Sequence, residues 1–385
     1  MLKLNKNLYG LKQASHNWFV MLSNGLKDRG FTPSDMDPCV FYKEDMIVLV
    51  YVDDMIAVAR DNKQIDDLVE SLREGNEHFK LTSEGKLDEY LGMEIVDSEG
   101  GAFEIKQPHL IGRILKAVGI DPSDTNSRDT PATIPLLHKD LEGIGRKLQW
   151  NYRSVIGMMN YLSGSTRPDI SMAVHQAARF SNCPMLTHEK GVMRISRYLI
   201  ATRDRGIVFR PDMKKGLELY VDADFAGNWK KADKDSPENC LSRTGYIFRY
   251  NNCPIIWKSQ LQTEICLSSA EAEYVAMSQA LRQALPLIHI LKEFNCVFPE
   301  VAYSTPTFNC KVFEDNTACI SIADSDKFTP RTKHIALKYH WFKEYAKQKV
   351  FDIMYISTSE QLADYLTKPL DKVSFLKFRK LVNGY

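Results

Sequence analysis

The chain has 385 residues, 44% of them hydrophobic and 26% charged, with 50 Lys and Arg against 49 Asp and Glu. That near-neutral balance excludes a histone-like coating protein but leaves room for local basic surfaces that bind nucleic acid. The length predicts two or more domains with sizeable cores. Eight scattered cysteines with no Cys-x-x-Cys pair predict reduced thiols in an intracellular protein, cytoplasmic or nuclear, and exclude a disulfide frame or zinc site. No run of about 18 apolar residues exists and no signal-peptide pattern opens the chain, so no membrane span is expected.

Gln13 to Arg29 reads as an amphipathic helix: Trp18, Met21, Leu22 and Leu26 share a face and Gly30 ends it. Phe41 to Ala59 reads as a hairpin of two apolar strands with Asp53 and Asp54 at the bend. A helix from Asp61 to Phe79 follows, then a second hairpin (Leu91 to Ile95, Ala102 to Ile105) and a helix from His109 to Val118. Asp121 to Asp140, rich in Pro, Thr, Ser and Asp, reads as a connecting loop. Helix then runs from Tyr152 to about Leu199, broken at Thr166-Arg-Pro-Asp169 and at Cys183-Pro184.

From Leu217 the period changes. Strands are expected at 217–223, 244–250, 253–259 and 262–268, then a helix from about Ala270 to Cys296. A strand at 309–314 leads into a short helix, Lys333 to Gln348 forms a longer one, and a strand at 351–356 precedes a helix opened by a Thr358-x-x-Gln361 capping box. Strands mixed with helices in this way predict an α/β layer fold.

Four acids stand in distinctive contexts: Asp222, Glu273, Asp315 and Asp364. Taken alone, three have ordinary readings. Asp222 is a strand-end turn residue with Asp224 as competitor, Asp315 an N-cap, and Asp364 a dipole-favoured acid in a first turn. Glu273 is sharper, because it aligns with Met277, Ala280 and Ala284 on a small apolar helix face, whereas Glu271 aligns with Ser278 and Arg282. Gathering four acids is costly unless a cation neutralises them. Carboxylate-held pairs of hard divalent ions cut phosphodiesters.

The order of these acids resembles the ribonuclease H domain, in its copia-type retrotransposon form. Leu219-Tyr-Val-Asp-Ala-Asp-Phe-Ala-Gly227, Ser242-Arg-Thr-Gly-Tyr246, Trp257-Lys-Ser259, Ser268-Ser-Ala-Glu-Ala-Glu-Tyr274, Glu314-Asp-Asn316, Arg331-Thr-Lys-His-Ile335 and Gln361-Leu-Ala-Asp-Tyr-Leu-Thr-Lys-Pro369 carry the likeness. It implies that Asp222, Glu273, Asp315 and Asp364 bind two ions, Mg²⁺ or Mn²⁺, held about 4 Å apart. It also implies the substrate, the RNA strand of an RNA–DNA hybrid, selected through its 2′-hydroxyls. His334 and His340 are given no role.

Upstream, Tyr51-Val-Asp-Asp54 resembles the reverse transcriptase signature, with Asn7-Leu-Tyr-Gly-Leu-Lys-Gln-Ala14 and Leu91-Gly-Met-Glu-Ile95 around it. Tyr152-Arg-Ser-Val-Ile-Gly157, Thr166-Arg-Pro-Asp-Ile170 and Arg197-Tyr-Leu199 extend the likeness to copia-type Pol polyproteins. Asp53 and Asp54 are then metal ligands of a polymerase palm, the ordinary reading being an exposed turn. Only six residues precede Asn7 and none is acidic, so a third palm aspartate and the fingers are expected to be missing. No templated synthesis is expected from this chain alone.

The expected layout is a palm remnant and start of thumb at 1–118, a helical thumb or connection at 119–205, a ribonuclease H-like α/β domain with a mixed sheet at 210–370, and a basic tail at 371–385. Lys106, His109, Arg113, Lys116, Arg194 and Arg197 are candidate phosphate contacts, with solvated helix faces the equal alternative. The expected partners are RNA–DNA hybrid and other nucleic acid, and association with other retrotransposon polyprotein products is compatible with the resemblance.

Overall fold

A computed structural model describes residues 8, 10–74, 79–121, 123–140, 143–229, 231, 237–299, 308–325, 334, 335 and 337–385. It divides into two compact units, Met1–Leu87 with Leu285–Ser304, and Asp88–Ala284 with Thr305–Tyr385. The mixed α/β class expected from the sequence is the class observed.

In the first unit, helix α1 (Ala14–Asp28) precedes strands β1 (Thr32–Pro33), β2 (Val40–Lys43), β3 (Met46–Tyr51) and β4 (Asp54–Ala59), followed by helix α2 (Asn62–Glu74). The strands form an antiparallel sheet in the order β1-β2-β3-β4. Phe41, Met46, Val48 and Val50 pack with Leu22 and Leu26 of α1 and Leu72 of α2. Val40 and Ile47 pack instead with Phe294, Val297 and Phe298. A sheet covered on both faces explains why β3 is an unbroken apolar run rather than an alternating one.

The second unit opens with an antiparallel sheet of β5 (Glu89–Tyr90), β6 (Met93–Asp97), β7 (Phe103–Lys106) and β8 (Ile207–Phe209). Between β7 and β8 lie α3 (Pro108–Ala117), α4 (Tyr152–Ser165), α5 (Ser171–Ala178) and α6 (Leu186–Ala201). A five-stranded sheet follows, with β9 (Leu217–Asp224), β10 (Arg243–Tyr250), β11 (Cys253–Leu261), β12 (Cys310–Glu314) and β13 (Phe351–Tyr355) in the order β11-β10-β9-β12-β13. The first three strands are antiparallel, while β12 runs parallel to β9 and β13 parallel to β12. Helices α7 (Ser269–Val297), α8 (Thr317–Asp324), α9 (Lys343–Lys347), α10 (Asp364–Thr367) and α11 (Lys372–Asn383) complete the chain.

One core joins the helices to this sheet. Ile114, Val155, Met159, Val174 and Ile195 cluster with Tyr220, Ile247, Leu366, Phe375 and Phe378. Packing therefore places 119–205 in one unit with 210–284 and 305–370. The break at Thr166-Arg-Pro-Asp169 buries an ion pair whose side chains are fully enclosed, with Arg167 Nη2 2.7 Å from Asp169 Oδ2. Arg167 also donates to Thr202 O at 3.0 Å, and Tyr198 donates to Asp169 at 2.5 Å.

Two sequence expectations are corrected. Residues 262–268 are not a strand, because Ile265 and Leu267 (71% exposed) have no layer to pack on and Gln262 turns inward to donate to Ala272 O at 2.8 Å. The long helix from Lys333 to Gln348 is a 3₁₀ turn at Leu337–Tyr339 followed by α9, with Lys333 outside the described residues. There Tyr339, His340 and Phe342 are all buried, and tertiary packing overrides helix propensity. The basic tail is helix α11, capped by Asp371 and anchored by Phe375, Phe378 and Val382, with Lys372 2.9 Å from Asp129. Most of the charged insertion from Lys230 to Cys240, and Arg331-Thr-Lys333, lie outside the described residues.

Candidate metal centre

β9 and β12 pair from Leu217/Cys310 to Tyr220/Phe313 and then part. The fully buried Gln361 bridges the split: its Nε2 donates to Val221 O at 2.9 Å and to Phe313 O at 3.3 Å. This corrects the expected capping box, because Gln361 serves two strands and Thr358 donates to Asp315 Oδ2 at 2.6 Å. Crevices at the carboxyl ends of parallel strands are where open α/β sheets bind ligands.

Three of the candidate acids meet at this split. Asp222, Glu273 and Asp315 each offer a carboxylate oxygen within 4.8 Å of the others. Asp222 is 3% exposed and stands inside β9, opposite Gly245, rather than at a turn. Glu273, 6% exposed, points inward from α7 and leaves Oε2 without a hydrogen-bond partner. Asp315 follows β12 but is not the cap of α8, since Asn316 accepts from Ala318 N and Cys319 N. Asp364 heads α10 beside Asp222, 4% exposed, and is not one of the three mutually close acids. Lys368 Nζ lies 2.9 Å from Asp364 Oδ1, an ion pair without the alignment of a hydrogen bond.

Two residues that the sequence reading passed over complete the setting. Glu314 is wholly buried with Oε2 unpartnered. The alternation Cys310-x-Val312-x-Glu314 signals it, since period two puts all three on one face. Thr367 donates its hydroxyl to Asp222 Oδ2. Gly245 makes that approach feasible: a Cβ there would sit 2.6 Å from Thr367 Cγ2 and 3.1 Å from Ala363 O. Gly245→Ala should therefore push α10 off the sheet and cost about 1–3 kcal/mol of stability, read by denaturant melting; an unchanged midpoint would contradict the close packing.

Burial raises the proton affinity of this cluster. It lifts Asp222, with Lys368 and Thr367 opposing and Asp315 reinforcing. Glu273 rises through burial and then Glu314, and Glu314 through burial and then Asp222. Asp364 is pushed up to about 7 by burial and by Asp222. The folded chain thus holds protons that unfolded carboxylates release near about pH 4, so stability falls as pH rises through about 7. Without divalent ions the melting temperature should drop between pH 5 and 8, and Mg²⁺ at pH 8 should restore it. Calorimetry showing a flat profile, indifferent to Mg²⁺, would contradict this. The donor set is all oxygen and suits a hard cation, as does the unpartnered Glu273 Oε2.

Asp53 and Asp54 belong to the first unit, and the carboxylate centre to the second. Both are exposed at the β3–β4 turn, where Asp54 pairs with Tyr51 and Trp18 Nε1 donates to Val52 O at 2.8 Å. Among the described residues they join no third ligand in a metal-ready group. His340 accepts a packing role, 2.8 Å from the Tyr274 hydroxyl, and His334 lies 3.1 Å from Glu271.

Residues 1–134 match the family model described as reverse transcriptase (RNA-dependent DNA polymerase). The Pol polyprotein of transposon TNT 1-94 from Nicotiana tabacum is 31% identical over 99% of this chain and 28% of its own length. The Pol polyprotein of transposon RE1 from Arabidopsis thaliana is 31% identical over 98% of this chain and 24% of its length. The chain belongs to the copia-type retrotransposon Pol family. It spans about a quarter of the length of these curated relatives. The N-terminal ribonuclease H domain of a Mycobacterium tuberculosis protein, solved as a fusion with maltose binding protein, aligns with 43% of the copia-type chain and 97% of that chain, at 12% identity and a TM-score of 0.27.

Proposed function

We propose that this copia-type Pol chain hydrolyses the RNA strand of RNA–DNA hybrids through a centre built by residues 210–370. The convergence of Asp222, Glu273 and Asp315 at the split between β9 and β12 carries the reading. Asp222, Glu273 and Asp315, with Asp364 beside them, would hold two Mg²⁺ or Mn²⁺ ions. When bound, these ions would supply an activated water and charge stabilisation at the departing oxygen.

The chain's own residues prepare the site. Thr367 and Thr358 fix the carboxylates of Asp222 and Asp315 by donating to them. Gln361 keeps the strand ends apart. Lys368, raised above its usual value by Asp222 and Asp364 although burial opposes its charge, remains cationic and offsets part of the acidity. The test is end-labelled RNA–DNA hybrid incubated with the purified chain and Mg²⁺, beside DNA duplex of the same sequence. Cleavage of the RNA strand alone is expected; equal cleavage of both duplexes, or of neither, would refute the reading.

A second reading is templated DNA synthesis by the first unit, favoured by the family match over residues 1–134. The exposed Asp53–Asp54 turn, without a third carboxylate among the described residues, weighs against it for this chain alone. Primer extension separates the two. The proposed setting is intracellular, cytoplasmic or nuclear, among other products of the same polyprotein.

A further inference from the structure

We propose that the cavity between α6 and the loop leading to α4, about 510 Å³ in volume, docks a phosphodiester strand at a distance in function from the carboxylate centre. Its volume lies within the range of ligand-binding clefts. Lys190, Met193, Arg194 and Arg197 line it from α6 at spacings of three and four, so they form one helix face. Arg128 and Lys147 line it from the loop side.

The charge balance of the cavity is one-sided. Glu189 is the lining acid, and it is buried and fully engaged. Its Oε1 accepts from Lys147 N at 3.3 Å, and its Oε2 accepts from Leu148 N at 3.0 Å and faces Arg146 Nε at 3.4 Å. Arg146 in turn stacks on Trp150, 4.3 Å from the ring centre. Five lining cations therefore face the cavity with no lining carboxylate left to neutralise them.

One lining guanidinium is also held in place. Arg194 donates to Thr130 O at 3.1 Å and to Thr130 Oγ1 at 2.7 Å, which fixes its fork. Arg197 Nε is buried without a hydrogen-bond partner, a donor that an anionic oxygen would satisfy. Met193 and Leu148 give an apolar floor suited to sugar carbons. Cations on both walls, continued outward by the exposed Lys147 and Lys190, fit a strand passing between them better than a single enclosed phosphate. The choice of nucleic acid as the occupant rests on the proposed function.

The test is fluorescence anisotropy of a labelled RNA–DNA hybrid with the full chain, in chelator so that no cleavage intervenes. Arg194→Ala/Arg197→Ala should bind about tenfold more weakly, with the slope of log affinity against log salt reduced by about two. Lys147→Glu/Lys190→Glu changes exposed side chains only, and the same loss there keeps the result independent of any folding defect. Unchanged affinity and slope in both variants would overturn the proposal. So would tripolyphosphate binding that needs Arg194 and Arg197 while hybrid binding does not. If wild type binds in this manner but never cleaves, the nuclease reading fails and the docking site stands.

Discussion

Asp222→Asn should abolish hydrolysis of RNA–DNA hybrid, by about a thousandfold or more, which is about 4 kcal/mol of transition-state stabilisation. The substitution keeps the shape of the side chain and its place opposite Gly245. It removes one of three carboxylates that stand within 4.8 Å of one another. Folding should not suffer. A buried acid packed among other acids opposes the folded state, so the amide variant should melt at or above the wild-type temperature at pH 8 without divalent ions. The Mg²⁺-induced rise in melting temperature should shrink with activity. Asp54→Asn is the internal control, because Asp54 is exposed at the β3–β4 turn, and hydrolysis should be unchanged. A Asp222→Asn variant that cleaves at the wild-type rate would remove the carboxylate centre from consideration.

Arg167→Met should cost the second unit about 3–5 kcal/mol, because it removes the cation paired with a buried carboxylate. Both side chains of the pair are fully enclosed. Burial works against the Asp169 carboxylate, and Arg167 together with Tyr198 and Arg379 offsets it, holding it below its ordinary value. Tyr198, Asn383 and Tyr385 also donate to Asp169, so one carboxylate ties α6 and the end of α11 to the turn before α5. Replacing both partners, as Arg167→Met with Asp169→Leu, should recover much of the loss. Urea melting of wild type and the two variants reads this directly. A single variant as stable as wild type would show that the pair is solvated.

Much of this was legible in the sequence where pattern and chemistry agreed. The strand–turn–strand at Met46–Ala59 follows from two apolar runs about a double aspartate, and the helix of the Ser-Ser-Ala-Glu-Ala-Glu stretch from its periodicity. The inward aim of Glu273 follows from its apolar neighbours four and seven residues on. Tertiary terms were less visible. Nothing local says that Gln361 will reach two backbone carbonyls of strands some fifty and one hundred and forty residues away, as its separations of 48 and 140 show. The role of Gly245 depends on α10 crossing above it, and that crossing is set by α11 and the shared core. Residues 262–268 had the composition of a strand but no sheet face to cover them, and there burial decided against pattern.

The continuity of the core from α3 to α11 has a consequence for how such an element evolves. Tyr220 and Ile247 of the five-stranded sheet are roofed by side chains from helices that lie before it in the chain. A recombination joint placed at residue 210 would strip that roof and leave a wet, sticky plane. Shuffling of transposon segments should accordingly select against joints inside 119–210.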